Sequence, residues 1–170
     1  MKSEIAIIYE EKREDFDEED EHFVLIFFVT YHMSLGKRSF WHPYFEIAAD
    51  SDLPMGWSEK DLMFLEDETL KMSVAEQREE CEEEYEVALE IAGDYPNLID
   101  IEKFTYENYR KAYCLVMTRA FGWSLPYMML VPVADNLNHH CVDNQFELFN
   151  SELETRKKKD QNTNFDNFEK

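Results

Sequence analysis

The residues best suited to chemistry lie in the stretch DNLNHHC, residues 135–141, directly after the apolar run LVPVA. Asp135, His139, His140 and Cys141 are all metal-ligand types, and a thiol beside an imidazole is also a pairing used in nucleophilic catalysis. Both kinds of site need side chains that converge, whereas adjacent histidines usually point in different directions. The stretch contains neither an HExxH nor a CxxC pattern. We therefore expect no metal ion here, and these residues alone assign no catalytic group.

The same stretch also suits a polar turn. Pro132 has no N–H, so a strand that reaches it must end or bulge there. The side chains of Asp135 and Asn138 can bond nearby backbone groups and shape a tight turn. The exposed backbone groups of such a turn can read the edge of an adenine, and the Asn138 amide adds a donor and an acceptor. From the chemistry of these residues alone, a purely structural turn and a ligand-binding turn are equally compatible with the sequence.

The charge of the chain restricts its partners. Its 170 residues include 38 Asp and Glu against 17 Lys and Arg, a formal net charge of −21. Such a chain repels nucleic acid and anionic membranes and attracts basic proteins. Its three cysteines are widely spaced, and the N-terminal residues resemble no signal peptide. An intracellular protein of the cytoplasm or nucleus is expected, and no oligomeric state is indicated.

The elements that precede the polar stretch are predicted to be mainly helical. The apolar run at residues 23–35 is too short to span a bilayer and favours a buried helix, with a strand as the alternative. Gly36 can end that helix in a left-handed cap, whereas Pro43 biases His42 away from helix. Ser58 is the expected N-cap of a short helix that follows.

Two longer helices are predicted after these elements. The first is expected to start with a capping box of Ser73 and Glu76, to end at Gly93, and to carry a solvated acidic face at residues 79–84. Its helically spaced, mostly apolar stripe consists of Val74, Arg78, Cys81, Tyr85, Ala88, Leu89 and Ala92.

The second helix has Thr105 as its expected N-cap and Gly122 as its end. Its apolar stripe consists of Tyr109, Ala112, Tyr113, Val116, Met117 and Ala120. Arg119 lies at the edge of that stripe. Its stem can therefore cover the core while its guanidinium points into a neighbouring cleft.

Strands are expected only near the polar stretch. The run YMMLVPV, residues 127–133, predicts a buried strand that Pro132 interrupts, and QFELF, residues 145–149, predicts a short one. Residues 1–22 form an acidic segment, of which 10–21 are predicted to be solvated, and residues 151–170 are predicted to be a disordered polar tail.

Three collinear segments resemble the SET-domain protein methyltransferases, specifically the class of the Rubisco large-subunit lysine methyltransferase and the actin-histidine methyltransferase. LVPVADNLNHHCVDN resembles the P-x-x-D-x-x-N-H motif of that class. LGKRSFWHPYFEIAADSDLP resembles its S-x-W-x-P-Y…L-P segment, and FTYENYRKAYCLVMTRAF resembles its F-T-x-x-x-Y-x-W-A…V-x-S/T-R helix, with Lys111 in place of the tryptophan. The order and approximate spacing agree over residues 23–150.

The resemblance implies an α+β fold, with a mostly helical SET insert at about 45–121 followed by the start of a partial β-rich SET segment at about 125–150. It also implies S-adenosylmethionine as cofactor. Asn138 and His139 would contact that cofactor, and backbone groups of the turn would read its adenine. Asp135 would lie in the same loop, and Arg119 would line the pocket, where a guanidinium suits the cofactor carboxylate.

The implied function is a protein N-methyltransferase that acts on lysine of a basic protein, with histidine as the other target. No glycine-containing cofactor segment stands before Phe23, and no tyrosine follows Tyr127. We therefore expect the middle portion of a SET protein. The alternative is a catalytically inactive SET fragment, or a protein-binding module that uses the helical insert.

Overall fold

The computed structural model describes residues 7–8, 11–12, 20–48, 53–122, 125 and 127–136. The α-helices in these ranges are α1 Glu21–Ser34, α2 His42–Ala48, α3 Glu59–Leu62, α4 Glu68–Asp94 and α5 Tyr106–Arg119. Short 3-10 turns cover Gly36–Arg38, Pro54–Gly56 and Ala134–Asn136. The chain divides into two compact units, Met1–Ala120 and Phe121–Lys170, and each is described by itself.

Helix α1 confirms the predicted buried helix over the strand alternative. Its inward residues include Phe23, Ile26 and Phe27, and it packs most extensively against α5. The Phe27 ring lies 5.2 Å from the ring of Phe104, measured between centroids. Gly36 follows with a φ of 54°, the left-handed conformation predicted for it.

Helix α4 is longer than predicted, with 27 residues, and the Ser73–Glu76 capping box is wrong. Asp67 caps the helix instead, since its Oδ1 accepts hydrogen bonds from the N–H groups of Thr69 and Leu70 at 2.8 and 3.1 Å. The helix starts six residues before the predicted cap because the residues between Asp67 and Ser73 are compatible with helix. Gly93 lies inside the helix, which ends one residue later, so its predicted capping role is also wrong.

Helix α5 confirms Thr105 as N-cap, with Oγ1 accepting from Asn108 N–H at 3.3 Å. Four residues of the predicted stripe are buried, Tyr109, Ala112, Tyr113 and Val116. Leu115, which the predicted stripe did not include, is also fully buried. The prediction that Met117 belongs to the buried stripe is wrong, because its side chain is 54% exposed. The helix ends at Arg119, ahead of the expected stop at Gly122.

Of the two predictions made for the short helices α2 and α3, one is confirmed and one is wrong. Ser58 caps α3 as predicted, accepting from Asp61 N–H. His42, however, is the first residue of α2, although Pro43 follows it. Proline is tolerated in the first turn because N–H groups there have no partner within the helix.

The predicted α+β class is wrong for the described residues, which are mostly helical and contain no strand or sheet. The expected strand at 127–133 forms only an isolated antiparallel bridge between Phe121 and Met129. Pro132 removes a ladder donor from this run, and Val133 has a φ of 80°, outside the extended region. The described part of the expected β-rich segment, residues 125 and 127–136, therefore contains no strand, and the second expected strand, 145–149, lies outside the described residues.

The core of the first unit forms where α1, α4 and α5 meet. Tyr85 of α4 contacts Phe104 and Tyr106, whereas Glu80, earlier in α4, lies near Tyr113, later in α5. The later part of α4 therefore contacts the start of α5, and the earlier part of α4 contacts the later part of α5, which is the arrangement of antiparallel helices. Within the described ranges, no helix is both long and apolar enough to cross a membrane.

Candidate functional site

Arg119 occupies the last position of α5 and is half-buried. The preceding turns are anchored in the core by Leu115 and Val116. The final turn is closed by hydrogen bonds from Thr118 Oγ1 to the Cys114 carbonyl at 2.7 Å and from Ala120 N–H to the Val116 carbonyl at 2.9 Å. The guanidinium is therefore carried on a fixed backbone, which is what a ligand-positioning residue requires.

Asp135 lies in the second unit, at the centre of the 3-10 turn Ala134–Asn136. Its N–H donates to the Val131 carbonyl at 3.1 Å, and Asn136 N–H donates to the Val133 carbonyl at 3.2 Å. A tight turn is therefore present at Asp135 and is closed by backbone groups, whereas the predicted contribution of Asn138 lies outside the described residues. Val133 adopts a φ of 80°, which a β-branched residue rarely does. Strain of this kind, of order 1–3 kcal/mol, concentrates at functional sites.

Asn138 and His139, the other two predicted cofactor-binding residues, lie outside the described residues, as do His140 and Cys141. The structure therefore places Arg119 at the end of α5 in the first unit and Asp135 in a turn of the second unit. In the described part of the chain, no group of three or more His, Cys, Asp or Glu side chains is arranged to hold a metal ion.

A polar cluster that the sequence did not predict centres on Glu84. Tyr109 donates its phenol to Glu84 Oε2 at 3.1 Å, and Nε2 of His22 lies 3.0 Å from Glu84 Oε1. The Glu84 side chain is only 17% exposed, and it joins α4 to α1 and α5. The prediction of a wholly solvated acidic face is wrong at this residue. Its spacing from Cys81 and Ala88, three and four residues, was the available signal, because both are buried.

The surroundings of Glu84 favour the protonated, neutral forms of the thiol and phenol groups near its carboxylate. Burial, followed by the charge of the nearby Glu84, raises the pKa of the Cys81 thiol from 9.0 to about 12. Burial also raises the pKa of Tyr109, with Glu84 as the next cause, and raises the pKa of Tyr113 to about 12. Thiolate and phenolate forms are thus suppressed at neutral pH, so these groups cannot act as nucleophile or base. We interpret the cluster as structural.

Two arginines organise the turn that precedes α3. Arg78 of α4 donates from Nε to the Met55 carbonyl at 3.0 Å and from Nη2 to the Trp57 carbonyl, and it pairs through Nη1 with Glu59. Arg110 of α5 donates to the Gly56 carbonyl at 3.2 Å. Three successive carbonyls are therefore held by two guanidinium groups, which fixes the backbone entering α3.

An open cavity of about 960 Å³ lies between the end of α1 and the segment after α4. Its lining contains two basic residues, Arg38 and Lys103, and two acidic ones, Asp100 and Glu102. Lys103 hydrogen-bonds Asp100 and lowers the pKa of that exposed carboxyl. Such a balanced lining selects no ligand charge, and none of the predicted site residues contributes to it.

Comparison of the chain with protein-family models, with curated proteins and with solved structures finds no match.

Proposed function

We propose that this chain is part of an S-adenosylmethionine-dependent protein N-methyltransferase that modifies lysine. The observation that carries the proposal is the collinear motif from Thr105 through Arg119 to residues 132–139. Two features of the structure support it. Helix α5 extends from its cap at Thr105 to Arg119, the two ends of the helical motif, and Asp135 of the P-x-x-D motif lies in a tight turn.

The donor set of the proposed site suits this cofactor. The guanidinium of Arg119 provides the geometry that a carboxylate accepts in charge-assisted hydrogen bonds. The Asn138 amide offers a donor and an acceptor for an adenine edge, and His139 follows it in the motif. Asp135 shapes the turn through its backbone N–H. The cofactor itself would supply the electrophilic methyl group.

The contribution of the protein to such a reaction is positioning. Methyl transfer requires a neutral amine that is held in line with the methyl group, and correct placement accounts for much of the barrier reduction. Arg119 would fix one end of the cofactor from a backbone anchored by the core of the first unit. The net charge of −21 favours a basic protein as substrate.

Isothermal titration of the chain with S-adenosylmethionine tests the proposal. We expect binding in the micromolar range. Asn138→Ala and Arg119→Ala should each weaken it by about tenfold or more, as for the loss of hydrogen bonds to charged or buried groups. His140→Ala is the matched control, since it removes an adjacent imidazole to which the motif assigns no role. It should bind as the parent does.

Two results would overturn the proposal. The first is no detectable heat at millimolar cofactor with a chain shown to be folded by circular dichroism. The second is equal weakening by His140→Ala and Asn138→Ala, because general disturbance of the turn would then explain the loss.

A further inference from the structure

The connection between α3 and α4 exposes apolar side chains at high density. Met63 is 79% exposed and its neighbour Phe64 is 77% exposed. Met72 and Leu70, in the first turns of α4, are also exposed. Single exposed apolar residues are ordinary, but four within ten residues mark an interaction surface. We call these four residues the apolar tip.

The local fold explains why the apolar tip is exposed and yet ordered. Helix α3 has only four residues, too few to bury an apolar face of its own. Its start is nevertheless fixed by the Ser58 cap and by the pairing of Glu59 with Arg78. Arg78 also holds the carbonyls of Met55 and Trp57. A backbone ordered in advance reduces the entropy lost on binding.

The charge around the apolar tip is strongly negative. Residues 59–72 contain five carboxylates, Glu59, Asp61, Glu66, Asp67 and Glu68, against two lysines. Two of the five are already paired, Glu68 with Lys71 at 2.8 Å and Glu59 with Arg78, which leaves Asp61, Glu66 and Asp67 against Lys60. Acidic groups that border apolar side chains complement a segment that presents lysine or arginine beside apolar residues. They disfavour an anionic membrane, and the net charge of −21 disfavours a second copy of this chain.

We propose that the apolar tip docks a basic amphipathic segment of a partner protein. Met63 and Met72 suit this role, because flexible and polarisable thioether side chains adapt to varied apolar partners. Phe64 supplies a rigid aromatic anchor between them in the sequence. The docking involves no residue of the proposed cofactor site, so it can hold or fail independently of methyl transfer.

Fluorescence anisotropy with a labelled synthetic helix of lysine and leucine, without S-adenosylmethionine, tests the docking. A matched helix with glutamate in place of lysine is the peptide control. The double variant Met63→Ser/Phe64→Ser should weaken binding of the lysine helix at least tenfold. Val87→Ser, which removes a 52% exposed apolar side chain from α4 outside the apolar tip, is the protein control and should leave binding unchanged.

Three outcomes would overturn the docking proposal. Equal binding by the parent and the double variant would mean that the peptide senses only the overall negative charge. Stronger binding to phosphatidylserine vesicles than to the lysine helix would indicate a membrane surface. Concentration-dependent association of the parent in sedimentation, abolished by the double variant, would indicate a self-contact. Should the double variant fail to fold, Glu66→Lys replaces it and should weaken the lysine helix selectively.

Discussion

The surroundings of Glu84 and of the apolar tip use the same two residue classes in opposite ways. Around Glu84 the carboxylate is mostly shielded from water, with 17% of its side chain exposed, and it is bonded by Tyr109 and His22 from the two neighbouring helices. At the apolar tip, Met63 and Phe64 are outside, and the neighbouring carboxylates face water. A polar group gains from burial only when it is bonded. The interior region therefore serves stability, whereas the tip is available for binding.

Alkaline pH should have the largest effect, through the buried thiol and phenol groups of the interior region. The raised pKa values of Cys81, Tyr106 and Tyr113, each about 12, and of Tyr109 mean that the unfolded chain loses these protons first. Their contribution to stability is complete below about pH 9 and is lost as pH rises from 9.0 toward 12. Urea midpoints measured across this range should fall. Titration of all the tyrosines near their usual pKa with the circular dichroism spectrum intact would contradict this.

Leu115→Ala should have the next largest effect. The side chain is fully buried between α5 and its neighbours, so truncation leaves a cavity and should lower the free energy of unfolding by about 2–5 kcal/mol. Met117→Ala, two residues away on the exposed side of α5, should change it by less than about 0.5 kcal/mol. Equal losses in urea denaturation would show that the two faces of α5 are not distinct.

Glu84→Ala should lower the free energy of unfolding by about 1–3 kcal/mol, because the buried phenol of Tyr109 loses its acceptor. In a Tyr109→Phe background the same substitution should matter less, since no donor is left unpaired. A double-mutant cycle measures this coupling. Strict additivity of the two substitutions would mean that Glu84 and Tyr109 do not interact. Glu84 would then resemble the exposed carboxylates near the apolar tip.

Met63→Ser/Phe64→Ser should have the smallest effect on stability, within about 0.5 kcal/mol per substitution, because both side chains are already in water. Thermal melting of the parent and the double variant provides the measurement. A large drop in Tm would mean that these side chains pack against the molecule, and the apolar tip would then belong with the interior.

The features that the sequence predicted correctly are local ones. Ser58 and Thr105 cap their helices because a hydroxyl three residues before a free N–H is enough to specify the bond. Gly36 adopts the left-handed conformation that a glycine after a helix favours. The predicted start of α4 was wrong because Asp67 and Ser73 are both suitable N-cap residues. Capping rules alone do not decide between two possible starts of one helical stretch.

Features that depend on distant partners were missed. Glu84 stands within an acidic run, and only its contacts with His22 and Tyr109, 62 and 25 residues away, distinguish it from its neighbours. The strand predicted at 127–133 failed because apolar content does not supply a pairing partner or the donors that proline lacks. Of the proposed cofactor site, the turn near Pro132 follows from local rules, whereas α5 ends at Arg119 and not at the predicted Gly122, and Asn138 and His139 remain predictions.

The unbroken length of α4 has a mechanical consequence. Met72 lies twelve residues before Glu84, and Ala92 lies eight residues after it, all within one helix. At about 1.5 Å of rise per residue, these are lever arms of about 18 Å and 12 Å on either side of the carboxylate. A tilt of the helix about Glu84 therefore moves its two ends in opposite directions, the first by half as much again as the second.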